Sequence, residues 1–232
     1  MIAKKQDIIA VVPSAGMGKR FGSNKPFVLL NSKPLFIYSL EIFEALKSIK
    51  EIIPIMKPED MELALRLIEE AGIKKVKKIA PGGKERQDSV YNGLKFIENK
   101  DSIIIIHDAV RPIINIEMVE SALKQLKRFD GVVLAVPPKD TIKESSGMIV
   151  NRTLKRENLW AVQTPQIFPY KIIMDAYINA MKAKYYSTDD SALVEFNGGK
   201  IKIVMGSYKN IKVTTPEDIS IAEIFLRQSE VK

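Results

Sequence analysis

Ile8-Ile9-Ala10-Val11-Val12-Pro13, followed by Ser14-Ala15-Gly16-Met17-Gly18-Lys19-Arg20-Phe21-Gly22, is the stretch from which the rest of the chain is read. The first six residues form a short, continuous apolar run that stops at a glycine-rich turn. That pattern predicts a strand buried on both faces, as in a parallel sheet. Small residues and glycines in the turn let backbone amides approach a polyphosphate without a Cβ in the way. Arg20 and Lys25 add charge that bare amides lack. The spacing is not the dinucleotide fingerprint, because the third glycine comes one residue late and Phe21 stands in its place. No Gly-Lys-Ser/Thr closes a Walker loop either. Two readings of residues 14–25 stay open here: a phosphate cradle, or a tight strand-to-helix turn with solvated cations.

Beyond the turn the pattern repeats. Residues 34–47 carry Phe36, Leu40, Phe43 and Leu46 at helical spacing. Residues 51–56 read as a strand whose Pro54 places it at an edge. Residues 58–71 read as a helix ended by Gly72. A strand over 75–80, a helix over 86–98, a strongly apolar strand over 102–107, a helix over 116–128 and a strand over 131–136 follow. This alternation predicts an α/β fold with a doubly wound, mostly parallel sheet, and ligands bind such sheets beyond the carboxyl ends of the strands. The rhythm breaks over 137–159, where Pro-Pro, Ser-Ser-Gly and short alternating runs predict a two-stranded excursion turning at 145–147. A lone hairpin is marginal in water, so this one is expected to lean on a partner subunit. Helices resume over 169–182 and 189–197, then a strand over 200–204. Thr215-Pro216-Glu217-Asp218 has the N-cap, proline and acids of a helix start. The whole is expected to be one domain, residues 1–232, with 137–159 as an arm within it.

Composition narrows the function. There is no cysteine, which removes disulfides and thiolate metal sites. The first apolar run is too short for a signal sequence and no stretch has the length to span a bilayer, so a cytoplasmic protein with no membrane association is expected. The 36 Lys and Arg against 28 Asp and Glu give a net charge of +8. The lysines are scattered singly or in pairs without interleaved aromatics, which reads as a solvated surface rather than a nucleic-acid platform.

Four further clusters carry chemistry. Gly82-Gly83-Lys84-Glu85-Arg86-Gln87-Asp88-Ser89 opens a helix whose amides, with Ser89, suit a base edge or a phosphate; a capped helix with surface charges is the other reading. His107-Asp108-Ala109-Val110-Arg111 ends the most apolar strand. There Asp108 suits a Mg²⁺ bridging phosphate oxygens and Arg111 suits a phosphate, unless the two form a structural ion pair. His107 is the only histidine, which excludes a two-histidine metal set, and it reads as a positioned residue rather than a base. Asp140-Thr141-Ile142-Lys143 and Asn210-Ile211-Lys212-Val213-Thr214 each offer hydroxyl and ammonium donors at a strand end.

Taken together, GMGKRFG (16–22), GGKERQDSV (82–90), HDAVRP (107–112), KDT (139–141), TPQIF (164–168), TDDSALVE (188–195) and NIKVTTPED (210–218) occur in that order across nearly the whole chain. This set resembles the 2-C-methyl-D-erythritol 4-phosphate cytidylyltransferases of the non-mevalonate isoprenoid pathway. The resemblance implies a Rossmann-like α/β fold with a protruding β-arm that forms a homodimer. It also implies transfer of CMP from CTP to a polyol phosphate with release of pyrophosphate, and a Mg²⁺ requirement. By motif, Ser14, Ala15, Gly16 and Gly18 match the triphosphate loop, with Arg20 and Lys25 as its catalytic cations. Gly83, Lys84 and Ser89 match the cytosine-recognition segment, while Asp108, with Ala109 beside it, matches the metal and nucleotide carboxylate. Arg111, Thr141 and Lys212 match residues that hold the acceptor, with Thr164 and Thr188 as further acceptor-side positions. Arg156, in LKRENLW, matches an arm residue that reaches the neighbouring subunit's site. The family's Pro-Lys-Gln is here Asn24-Lys25-Pro26, which keeps the charge and changes the local backbone.

The implied reaction needs no strong base, since a phosphate monoester is already anionic near neutral pH. Catalysis then rests on positioning and charge neutralisation. Other readings are a ribitol 5-phosphate cytidylyltransferase, a sugar-1-phosphate nucleotidyltransferase, a catalytically silent nucleotide sensor and a basic nucleic-acid binder, the last requiring cations gathered on one face.

Overall fold

A computed structural model of the chain describes residues 6–16 and 25–230. Gly18 and Arg20 therefore lie outside the described residues. β1 (Ile8–Pro13) is the expected buried strand. Lys25–Phe27 form one 3-10 turn, closed by the Val28 N–H donating to the Lys25 carbonyl at 3.2 Å. Pro26 sits inside that turn, buried, where its missing N–H costs nothing. β2 (Leu29–Leu30) and β3 (Lys33–Pro34) make a small hairpin turned by Asn31 and Ser32, at φ 47° and 63°. Positive φ at both turn residues matches the twist of the strands.

α1 (Leu35–Ala45) and β4 (Ile49–Met56) follow, then α2 (Met61–Glu70), which stops at Gly72 with φ +68° as expected. The strand expected over 75–80 shrinks to β5 (Ala80–Pro81) plus one bridge between Ile52 and Val76. β4 is not the edge strand expected from its Pro54, because β5 pairs outside it; Pro54 falls between the two contacts. Ile52 donates outward to the Lys75 carbonyl at 3.0 Å and Met56 accepts from Gly82 at 2.7 Å, so Pro54 falls where the outer ladder is interrupted. Lys75 is occupied elsewhere. Its ammonium donates to the carbonyls of Phe43, Glu44 and Leu46 at 3.2, 2.6 and 2.7 Å, which satisfies the end of α1.

α3 (Arg86–Lys95), β6 (Ile103–Ile106), α4 (Ile116–Gln125) and β7 (Gly131–Val136) continue the alternation. β8 (Lys143–Ser146) and β9 (Ile149–Thr153) form the expected hairpin, turned at Gly147 with φ +58°. Next comes a strand that the sequence reading missed, β10 (Ala161–Pro169). The chain ends with α5 (Tyr170–Lys182), α6 (Asp190–Phe196), β11 (Ile201–Met205) and α7 (Pro216–Glu230).

Seven strands form the main sheet in the order β11-β7-β10-β6-β1-β4-β5. β10 inserts antiparallel between β6 and β7; the other pairings are parallel. The α/β, mostly parallel, doubly wound architecture is thus as expected, with one reversed strand near its centre. Alternate residues of β1 face opposite layers. Ala10 and Val12 pack with α1, α2 and α4, whereas Ile9 and Val11 pack with α3, α5 and α6. A third cluster, Leu30, Leu35, Ile113, Val213 and Ala222, fastens α7 to the small hairpin. The Asp218 carboxylate accepts from the N–H of Thr214 and Thr215 at 2.6 and 2.8 Å at the start of α7.

Candidate active site

Three loops meet beyond the carboxyl ends of β1, β4 and β6, the place a parallel sheet reserves for ligands. Ser14 continues β1 and donates its N–H to Ile55 at 2.8 Å. His107 continues β6 and donates to Val11 at 3.0 Å, and Ala109 donates to Pro13 at 3.3 Å. Gly82 is tied to the end of β4. A Cβ on Gly82 would lie 2.4 Å from the Cβ of Ala15. Glycine is therefore required there for the first and third loops to touch.

Among the described residues, the cleft between these loops has a volume of about 510 Å³. It is lined by Ser14, Ala15, Gly16, Lys25, Gly83, Lys84, Glu85, Arg86, Ser89, Asp108, Val110, Lys212 and Thr214. Nine residues expected from the sequence thus meet in one place: Ser14, Ala15, Gly16, Lys25, Gly83, Lys84, Ser89, Asp108 and Lys212. The Ser89 hydroxyl shapes the turn itself, accepting from Gly83 N–H at 2.9 Å and donating to the Glu85 carbonyl at 3.0 Å. Asp88 accepts from Glu85 N–H at 3.0 Å, so the helix is capped as well as facing the cleft.

Asp108 is the centre of the charge. Its Oδ2 accepts from the Lys212 ammonium at 2.7 Å, and its Oδ1 accepts from Arg86 Nε and Nη2 at 3.2 and 3.1 Å. Burial alone would raise its pKa, but Arg86, Lys212 and Arg111 together hold it well below the ordinary carboxylate range. Burial likewise opposes the Arg86 charge, and Asp190 and Asp108 outweigh it. Asp190 receives Arg86 Nη1 and Nη2 at 2.9 and 2.7 Å and also the Tyr177 hydroxyl. Burial and the Asp190 charge keep that phenol protonated. Arg86, Tyr177 and Asp190 had no assigned role in the sequence reading. The weak signals were a cation inside GGKERQDSV and a second acid in TDDS.

The Asp108–Arg111 ion pair, one of the two sequence readings, does not form. Arg111 Nη1 donates instead to the Asn210 carbonyl at 2.8 Å. Below Asp108 runs a hydrogen-bonded chain. Asp108 N–H donates to Thr164 Oγ1 at 3.0 Å, Thr164 Oγ1 meets His107 Nδ1 at 3.0 Å, and His107 Nε2 meets the Arg111 carbonyl at 3.2 Å. Burial pushes the His107 pKa down to about 4, so the ring is neutral near pH 7. His107 is the positioned residue expected.

Several expected positions do not line the cleft. Ala109 is fully buried and its carbonyl accepts from Ser39 Oγ at 3.1 Å. Thr164 lies beneath the cleft, in a bulge of β10 whose Thr164–Pro165 peptide is cis. Arg111 is turned toward Asn210, and Thr188 is exposed on the loop before α6. Thr141 and Arg156 sit exposed at the root of the arm, where Arg156 Nη1 donates to the Lys139 carbonyl at 2.7 Å.

The family model described as 2-C-methyl-D-erythritol 4-phosphate cytidylyltransferase matches residues 8–228. The chain belongs to this family. A member from Pelotomaculum thermopropionicum is 42% identical over 225 residues, covering 95% of this chain and 94% of that protein. One from Clostridioides difficile is 42% identical over 223 residues, covering 95% and 94%. Among solved structures, 4-diphosphocytidyl-2C-methyl-D-erythritol synthase from Anaerococcus prevotii superposes with a TM-score of 0.86 at 30% identity, covering 96% of this chain and 97% of that one. The cytidylyltransferase from Thermus thermophilus gives 0.77 at 25% identity, covering 96% and 100%. The antiparallel β10 and the hairpin β8–β9 are therefore parts of a cytidylyltransferase fold.

Proposed function

We infer that the protein transfers CMP from CTP to 2-C-methyl-D-erythritol 4-phosphate, forming 4-diphosphocytidyl-2-C-methyl-D-erythritol and releasing pyrophosphate. The observation that carries this reading is the family match over residues 8–228, supported by a cationic cleft that nine of the expected residues, among them Lys25, Ser89, Asp108 and Lys212, line together. Lys25 and Arg20 are assigned to neutralising the triphosphate, and residues 14–16 and Gly18 to its backbone contacts. Gly83, Lys84 and Ser89 face the base. Lys212 serves the acceptor from the cleft, Arg111, Thr141 and Thr188 are assigned to it from outside the cleft's lining, and Thr164, beneath the cleft, acts only through Asp108. An acceptor phosphate oxygen forms its bond to the α-phosphorus of CTP as the bond to the pyrophosphate oxygen breaks. No side chain has to remove a proton, in keeping with a neutral, buried His107.

Among the described residues no three acids or histidines cluster as a metal cage. A single carboxylate such as Asp108 fits a Mg²⁺ that arrives with a triphosphate and keeps most of its ligands from phosphate and water. When bound, Mg²⁺ spreads positive charge over the phosphate oxygens. The exposed apolar tip of β8–β9 supports a homodimer in which Arg156 reaches the partner's site. No helix among the described residues is long and apolar enough to cross a membrane.

Pyrophosphate release with methylerythritol phosphate and, in turn, CTP, ATP, GTP and UTP tests the reading. CTP is expected to be strongly preferred, and methylerythritol phosphate is expected to outcompete ribitol 5-phosphate. Equal rates with all four nucleotides, or preference for ribitol 5-phosphate, would overturn it.

A further inference from the structure

The two oxygens of Asp108 are held in unlike ways. Oδ2 meets one lysine, Lys212, whose side chain is 40% exposed at the rim. A lysine ammonium is a point charge on a flexible stem and changes partners easily. Oδ1 meets the rigid fork of Arg86, which is itself gripped by Asp190 through both carboxylate oxygens. Asp190 is 1% exposed and also takes the Tyr177 hydroxyl from α5, so solvent and ligand barely reach it. Its carboxylate is committed to orienting Arg86, at the first position of α3. The chain thus builds a relay, Tyr177 to Asp190 to Arg86 to Asp108, whose inner half is buried and whose outer half, Arg86 and Asp108, lines the cleft.

We propose that Arg86, clamped by Asp190, is a positioning residue that pins Oδ1 of Asp108 and leaves Oδ2 to the cleft for a divalent cation delivered with the nucleotide. The inference rests on the proposed function and deepens it. Lys212, which holds Oδ2, would turn toward the acceptor when a cation is bound. Arg86 keeps its partners throughout. A merely structural role, tying α3 to α6, would affect folding but not the link between Mg²⁺ and CTP.

The test is CTP binding by titration calorimetry, with Mg²⁺ and with EDTA, on the full chain and on Arg86→Lys, each with and without Asp108→Asn. Loss of a partner that orients a metal ligand typically weakens metal affinity ~10–100-fold. Arg86→Lys is therefore expected to weaken CTP binding at least ~10-fold in Mg²⁺ and by no more than about twofold in EDTA. In the Asp108→Asn background the Mg²⁺-dependent loss should vanish, since the two residues act as one unit. An equal loss with and without Mg²⁺, or the same loss without the Asp108 carboxylate, would overturn the proposal. If thermal melting shows Arg86→Lys unfolded, Asp190→Asn, which keeps the shape and removes the charge, is read by the same comparison. Lack of turnover with methylerythritol phosphate would sink the functional reading alone, because these titrations need only CTP and Mg²⁺.

Discussion

The Asp108 region and the β8–β9 arm invert the usual placement of residues in opposite senses. Around Asp108, charges are buried and each is answered by another charge or a hydrogen bond from a distant part of the chain. On the arm, apolar side chains stand in water. Met148 is 100% exposed, Ile149 76% and Val150 56%. The arm is held together by its own ladder and by exposed pairs such as Arg152–Glu144. Polar groups brought inside and apolar groups left outside both cost free energy, so each marks a place where something else is to bind. The first suits a charged small ligand, and the second suits another protein surface.

The largest effect is expected at Asp190. Asp190→Ala leaves Arg86 half-buried beside a single shared carboxylate, and losing one partner of a buried pair typically costs about 3–5 kcal/mol. A urea midpoint within error of the parent's would show the cluster to be ornamental. Lys25→Ala comes next. It should slow turnover at least ~10²-fold, the cost of one preorganised charge at a reacting phosphorus. Near-normal turnover would remove Lys25 from the catalytic set.

Asp218→Ala probes an ordinary helix start and should cost only ~1 kcal/mol. Slight burial raises the Asp218 pKa, but hydrogen bonds from Thr214 and Thr215 outweigh it and lower the value overall. Its stabilisation is thus complete above the unfolded carboxylate pKa of about 4 and is lost as pH falls through the lower folded value. The gap between parent and variant in thermal melts should close in acid; a gap that widens there would contradict the sign. The arm gives the smallest stability effect. Ile149→Asp with Val150→Asp should leave stability within ~0.5 kcal/mol, while sedimentation shows loss of a dimer and turnover falls. A fully active monomer would end the arm's proposed role.

The contrast also explains what could be read from sequence. β1, β6 and β7 are buried on both faces, so their apolar runs need no other context, and their expected bounds lie within a residue or two of those observed. The arm was legible through Gly147 and its short alternating runs. β10 was not, because its middle is Gln163, Thr164, Pro165 and Gln166, polar residues that read as loop. Those side chains are buried yet satisfied: Gln163 donates to the Ser207 carbonyl at 2.9 Å, and Gln166 accepts from Ser191 N–H at 3.0 Å. The segment over 75–80 reads as a longer strand than forms for the opposite reason, since apolar residues at a sheet margin need not pair. Motif spacing located Asp108 and Lys212. It could not locate the Arg86–Asp190 pair, whose members are 104 residues apart and meet only when α3 and α6 pack on the same face.

The short β5 has a consequence for the molecule's behaviour in a crowded solution. A sheet that ends in a long apolar strand is a template on which other chains can grow. Here one margin is a two-residue strand ending in Pro81, approached through the exposed Lys74 and Lys77. The other margin is β11, which carries Lys202 and follows Lys200. Part of the surplus positive charge thus sits where it resists sheet-to-sheet growth, and aggregation is opposed at both ends of the fold.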